Sequence, residues 1–444
     1  MVLTLPLVTP KIRGADEIEY FSYLPSLVFD RDLDFGDEYR HFYEKDPEGL
    51  AGFKATFLDR RDPDSGRHIN FGPIGSALLW SPFYLLAHGL TWIARALGAG
   101  VPADGLSWPY VAAACYGSAL YGCAGLLLVH DALRRFGSFS DAAAALSTAA
   151  LALGTPVLYY LTLAPGFAHA PSLFAVSLLV WTWLRARARG EDARPRDYAL
   201  VGLSGGLAGL VREQDVLFLA VPALDLAWGA VRGGRVSRGL ARGVALAASA
   251  ALVMAPQLLV YRALTGHFGP SRLVTRKVDW RSPHFLEVLF DPAHGLFAWS
   301  PLLLVATAGL VWAASKRRDA PSVLLALAVL LQAWINGALE SWTQAGAFGS
   351  RRFVAATPMF AWGLATVVEA ARPRLGRVPA AAALAVFAWW NVSLMVQFGL
   401  RLMDRQRLEW PKVAVNQFTE VPRRLGHVAV LFFSDRERLV REAP

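Results

Sequence analysis

Successive runs of about 20 apolar residues constrain this chain more than any other feature, because a helix of that length matches the hydrocarbon thickness of a bilayer. Such runs cover roughly 109–132, 141–162, 168–185, 243–262, 296–315, 321–338, 351–371 and 379–398. In lipid only helices and closed barrels satisfy every backbone polar group, and the alternating pattern of barrel strands is absent. The run 199–231 is interrupted by Arg212, Glu213, Gln214 and Asp215. It reads as two shorter helices meeting at a polar break. The predicted fold is all-α, a polytopic transmembrane helical protein with about 10 membrane spans plus juxtamembrane and re-entrant helices.

Charge sets the expected topology. Arginine clusters occur at Arg134/Arg135, Arg185 to Arg196, Arg232 to Arg242, Lys316 to Arg318 and Arg372 to Arg377. All five can be cytoplasmic at once, as the positive-inside rule favours. The net charge of +9 is thus spent on orientation, and no nucleic-acid partner is expected. The connections 98–108, 163–167, 212–215, 263–295 and 339–350 then face outward, as does the tail from 399. Cys115 and Cys123 share one apolar run and read as buried thiols.

The first hundred residues fit this scheme less simply. Residues 74–97 are long enough to cross, yet Pro82, His88 and Arg95 lie within them. They read as an interfacial or re-entrant helix pair; the alternative is a span that puts Asp16 in the cytoplasm. The expected organisation is 1–13 as the remnant of a first membrane helix, 14–108 as the first outer loop, 109–398 as the helical core, and 399–444 as a short outward tail.

The stretch 14–34, GADEIEYFSYLPSLVFDRDLD, is too polar to span and too aromatic for a free linker. Asp16 and Glu17 open it. Carboxylates at a membrane interface can act as general base on a hydroxyl, or hold a divalent metal that neutralises a phosphate leaving group. They also suit a solvated helix start. Tyr20 follows them as a site-lining candidate. His169, in APGFAHAP, is a possible base or ligand, or a structural histidine at a helix end. Arg212 can bind phosphate or pair internally with Glu213 or Asp215, since charges at membrane depth face a cavity or each other. Glu340 and Trp342 lead into Gly349, Ser350, Arg351 and Arg352. Two arginines at an outward helix mouth break the positive-inside pattern, and an anionic lipid phosphate fits them. The acidic run Asp30, Asp32, Asp34, Asp37 and Glu38 lacks calcium-loop spacing and reads as solvated surface. GLSGGLAGL (202–210) reads as close helix packing.

In order and position these pieces resemble the GT-C superfamily of membrane glycosyltransferases, in the branch of protein O-mannosyltransferases and the lipid A aminoarabinose transferase. The resemblance covers most of the chain. It rests on the acidic pair, the aromatic stretch Tyr20 to Phe29, HINFGPIGSALLWSPFYLLAH (68–88), YYLTLAPGFAHAPSLF (159–174), GLAGLVREQDVLFLAVP (206–222), DPAHGLFAWSPLLL (291–304) and AFGSRRFVAATP (347–358).

The resemblance implies an inverting glycosyltransferase using a polyprenyl-phosphate sugar donor at the outer face of a bacterial cytoplasmic membrane. Asp16 maps onto the family's base or metal ligand, with Glu17 beside it. His169 stands where the aminoarabinose transferase has a second acidic residue. Arg212, Arg351 and Arg352 would stabilise the departing polyprenyl phosphate. The acceptor, whether lipid, glycan or protein, stays open, as does a divalent metal at Asp16, Glu17 and His169. The competing classes are a secondary transporter or lipid flippase, and a truncated non-catalytic relative.

Overall fold

The computed structural model describes residues 2–233, 236–344 and 346–441. Outside that set lie Met1 of the expected remnant helix, 234–235 of the Arg232 to Arg242 cluster, and the last three residues of the tail. Among the described residues the regular structure is helical, and the only β pairing is two isolated bridges, Arg61 with His68 and Val278 with Leu339.

The principal helices in chain order are α1 (Ala15–Pro25), α2 (Gly36–Lys45), α3 (Gly75–Ala96), α4 (Trp108–Phe136), α5 (Asp141–Gly154), α6 (Val157–Thr162), α7 (His169–Ala188) and α8 (Pro195–Val211). They continue with α9 (Ala220–Arg232), α10 (Val236–Thr265), α11 (Pro301–Arg317), α12 (Ala320–Gly337), α13 (Thr357–Leu375), α14 (Arg377–Gly399) and α15 (Glu420–Ser434). Among the described residues, seven helical segments can cross a membrane by length and composition: Gly75–Ala96, Trp108–Phe136, Glu213–Arg232, Val236–Thr265, Ala320–Gly337, Arg351–Arg374 and Val378–Gly399. The chain is an all-α polytopic membrane protein.

Residues 74–97 were expected to break at Pro82, and they do not. α3 runs unbroken for 22 residues with Pro82 inside it. Proline cannot donate to the carbonyl four residues back. That carbonyl belongs to Leu78, and the Ser81 hydroxyl donates to it at 2.8 Å. A neighbouring side chain thus replaces the missing backbone donor.

The chain divides into two compact units. The first takes in the chain up to Gly125 and Tyr160–Arg276; the second takes in Leu126–Tyr159 and the chain from Lys277.

In the first unit, the segment expected as an outer loop is a packed aromatic body. Ile18, Phe21, Tyr23, Phe35, Tyr39, Trp80 and Tyr84 are wholly buried in it. Edge-to-face pairs recur, with Phe21 and Phe42 rings 5.8 Å apart and Tyr23 and Phe35 5.0 Å apart. Such pairs add about 0.5–1.5 kcal/mol each beyond the area they bury. The glycines of 202–210 give the close helix packing expected of them. A Cβ on Gly202 would meet the Leu246 carbonyl at 2.1 Å, and one on Gly206 the Ala250 carbonyl at 2.7 Å. Glycine at these two positions lets α8 lie against α10 backbone to backbone.

The second unit packs α11 against α13, and α5 against α13 and α14. A Cβ on Gly363 would fall 2.0 Å from the Ala306 carbonyl. Ser140 caps α5, and Glu369 accepts its hydroxyl at 2.6 Å.

Candidate active site

The acidic pair at the start of α1 divides into two roles. Glu17 is the third residue of the helix, and its Oε2 turns back to accept the backbone N–H groups of Gly14 at 2.7 Å and Arg13 at 2.9 Å. This is the acidic half of a capping box, which satisfies donors that a helix start otherwise leaves orphaned. Burial pushes the Glu17 carboxyl from its ordinary 4.5 up to about 7, against the pull of those two N–H groups. Asp16 is only partly buried. It sits in the first turn, where the helix dipole favours an anion. Its charge acts on both Glu17 and Glu19.

Glu19 is a further candidate, one the sequence pattern did not single out. It lies three residues after Asp16, hence on the same helix face, and that spacing was available in the sequence. It is 5% exposed and accepts the Phe71 N–H at 2.5 Å. Asn70 Nδ2 donates to the Glu19 carbonyl at 3.0 Å, and Asn70 Oδ1 accepts the Gly72 N–H at 2.8 Å. The Tyr23 hydroxyl donates to the Gly72 carbonyl at 2.8 Å, and the Tyr39 hydroxyl to the Ile69 carbonyl at 3.0 Å. The Tyr20 ring lies so close that a Cβ on Gly72 would stand 2.9 Å from it. The HINFGP segment is thus bound along α1 by named side chains.

Burial, followed by the Asp16 charge, pushes Glu19 from 4.5 up to about 8. The unfolded chain releases this proton near 4.5 and the folded chain near 8. The folded state binds more protons between those values, so its stability falls as pH rises through that window, by at most about 1.4 kcal/mol per pH unit for one group. Glu19→Gln keeps the acceptor for Phe71 and removes the ionisation. Melting in detergent should therefore show the variant gaining stability over wild type at pH 8 and little difference at pH 5. A parallel pair of pH profiles would refute the assignment.

The acidic run after α1 is only partly the solvated surface expected of it. Asp34 binds His68 Nδ1, with Arg61 at 3.6 Å. Glu38 is 1% exposed, and burial pushes its carboxyl up to about 8.

A second wall comes from the turn 163–168. A Cβ on Gly166 would lie 2.6 Å from Ile12 Cδ1 and 2.8 Å from Glu17 Oε1, and one on Gly14 would lie 3.0 Å from Phe167 Cζ. Phe167 stacks on His169, with centroids 5.8 Å apart and planes at 20°, while Tyr160 meets His169 edge-on at 4.4 Å. His169, 3% exposed, is the first residue of α7. Arg212 Nη1 reaches its Nδ1 at 2.6 Å. A guanidinium has only donors, so Nδ1 must be the acceptor and the imidazole proton sits on Nε2.

Arg212 closes α8 with an extended backbone, φ −146° and ψ 119°. Asp215 is wholly buried three residues on, accepts the Ser172 hydroxyl and feels the Arg212 charge. The charged break is therefore answered mainly by His169 and Ser172 of α7. Glu213, at the same break, accepts the Tyr261 hydroxyl. It lines a cavity of about 60 Å³ shared with Tyr23, Phe71, Gly72 and Gln257.

The remaining candidates belong to the second unit. Arg351 and Arg352 begin the turn Arg351–Ala356 that leads into α13, after Gly349 at φ +62°. Arg352 donates to the Ser341 hydroxyl at 2.8 Å, and its N–H to Gln344 Oε1 at 3.2 Å. Glu340 lies 3.8 Å from Lys277, and Trp342 stacks on His284 at 5.1 Å.

Of the residues left open as ligands of a divalent cation, Glu17 and His169 are engaged otherwise. Glu17 is committed to the helix cap. His169 Nδ1 is taken by a guanidinium whose charge opposes a second cation. No group of three metal-ligating side chains forms among the described residues.

No family model and no curated protein matches this sequence. Among solved structures, the chain is similar to ArnT from Cupriavidus metallidurans in the apo state, at 17% identity and TM-score 0.45, over 97% of this chain and 74% of that one. It is also similar to the Archaeoglobus fulgidus oligosaccharyltransferase in complex with Zn and sulfate, at 16% identity and TM-score 0.43. That match covers 76% of this chain and 45% of the other, so this chain spans less than half of it.

Proposed function

We propose that this protein is an inverting membrane glycosyltransferase of the GT-C type. It moves a sugar from a polyprenyl-phosphate donor to an acceptor hydroxyl at the outer face of a bacterial cytoplasmic membrane. The observation that carries this reading is the constellation around the start of α1. The partly exposed Asp16 stands beside the buried Glu17 cap, which touches the turn leading to the His169–Arg212 pair.

The chemistry then divides among these groups. Asp16 takes the proton as the acceptor oxygen attacks the anomeric carbon. The bond from that carbon to the phosphate oxygen breaks, and its electron pair leaves with the polyprenyl phosphate. Arg212 keeps most of its five donors beyond the one bound to His169, and these meet the charge that develops on the phosphate. His169 positions Arg212. The hydrophobic turn around Phe167 limits water that would otherwise compete with the acceptor.

The test uses the full chain in vesicles with a polyprenyl-phosphate donor carrying a labelled sugar. Release of free polyprenyl phosphate with sugar on an acceptor supports the reading. Donor crossing the bilayer with its sugar still attached would replace it with a lipid flippase.

A further inference from the structure

A larger cavity lies at the far end of the first unit from Arg212. α8 separates the two, and its 17 residues make it about 25 Å long. The C-terminal ends of α7 and α9 meet there with the N-terminal ends of α8 and α10. The cavity measures about 320 Å³, within the roughly 300–1,000 Å³ of small-molecule sites. Arg187, Arg238 and Arg242 line it with Tyr198 and Asp225.

Each arginine is held differently. Arg187 binds Asp225, which is 8% exposed and whose other oxygen accepts the Trp183 indole N–H at 3.0 Å. That buried carboxylate is fully answered and anchors Arg187 at the cavity wall. Arg242 donates from Nη2 to the carbonyls of Glu191 at 2.9 Å and Ala193 at 2.5 Å, with its guanidinium 5.7 Å from the Tyr198 ring centroid. Its other donors are left for a ligand. Arg238 is exposed and has no hydrogen bond or ion pair among the described residues. The second lining carboxylate, Glu191, is exposed.

The flanks are apolar. Trp228 on α9 is 60% exposed, with Arg232 stacked 4.4 Å over its ring. Leu240 and Val244 on α10 are also exposed. A tryptophan under an arginine at the end of an apolar helix marks headgroup depth. Basic pockets between membrane helices suit anionic headgroups.

We propose that this cavity binds a phosphate group, held by Arg238 and Arg242 beside the anchored Arg187 and presented by an anionic phospholipid. The site is separate from the transfer chemistry and does not depend on it.

The test is melting of the purified full chain in neutral detergent during titration with dioctanoyl phosphatidylglycerol, dioctanoyl phosphatidylcholine or inorganic phosphate. Phosphatidylglycerol should raise Tm saturably and phosphatidylcholine should not. Arg238→Ala should weaken the midpoint by about tenfold or more, the loss of one charged hydrogen bond. Arg238→Lys should keep part of it. Gly229→Leu supplies an independent block: Gly229 lines the cavity, and a Cβ there meets nothing within 4 Å, so the added bulk enters open space at the cavity wall. Inorganic phosphate acting alone, and losing its effect in both variants, would name a soluble source for the same group. Equal shifts from the two lipids, or wild-type response in both Arg238→Ala and Gly229→Leu, would overturn the proposal.

Discussion

Asp16→Asn should lower the rate of sugar transfer on the order of 10²-fold or more while donor binding is largely kept. The asparagine has the same shape and cannot accept the acceptor's proton. Because Asp16 is only partly buried, the change in stability should be small: losing the helix-dipole interaction costs about 0.3–1 kcal/mol, and the charge that raises the Glu17 and Glu19 carboxyls goes with it. Glu17→Gln should behave in the opposite way. The amide oxygen can still cap Gly14 and Arg13, so transfer is retained, and because burial raises the Glu17 carboxyl to about 7 the neutral variant should keep or gain melting temperature at pH 8. Single-turnover rates and melting curves on the two variants separate a base from a cap. Near-normal turnover by folded Asp16→Asn would sink the central assignment.

Arg212→Ala should be the most destabilising single change at the site. It removes the positive charge that acts on the wholly buried Asp215 and the donor that holds His169. Asp215 keeps the Ser172 hydroxyl but loses the opposite charge that offsets its burial, a cost on the order of 1–3 kcal/mol. The double variant Arg212→Ala/Asp215→Asn removes that charge as well and should recover most of the melting temperature. Transfer should not return, because the phosphate has lost its ligand. Recovery of both would make the arginine a purely structural partner; recovery of neither would place its main interactions elsewhere.

Much of the helical plan was readable because bilayer thickness imposes a length on apolar runs, and charge then marks where they end. The break at 212–215 was visible for the same reason: four polar residues inside an apolar run cannot continue it unnoticed. Close packing of the glycine-rich segment 202–210 was readable from its place in an apolar helix, while Gly202 and Gly206, on one face of α8, are the positions where folding brings the α10 backbone near. The continuity of α3 was not readable, since a proline forbids its own backbone bond and says nothing of the serine that replaces it.

The candidate site shows the same division more sharply. Composition and order put acids at the start of α1 and an arginine at the break in 199–231, and the sequence determined that much by itself. Which acid stays partly exposed and which becomes a cap depended on whether Glu17 could reach back to Arg13 and Gly14 while Gly166 left room beside it. That His169 answers Arg212, 43 residues away, that Glu19 is buried on the HINFGP segment, and that Asp225 anchors Arg187 are facts of tertiary structure alone. A side chain's local pattern fixes its face on a helix, but its partner and its desolvation come from chain segments that only folding brings near.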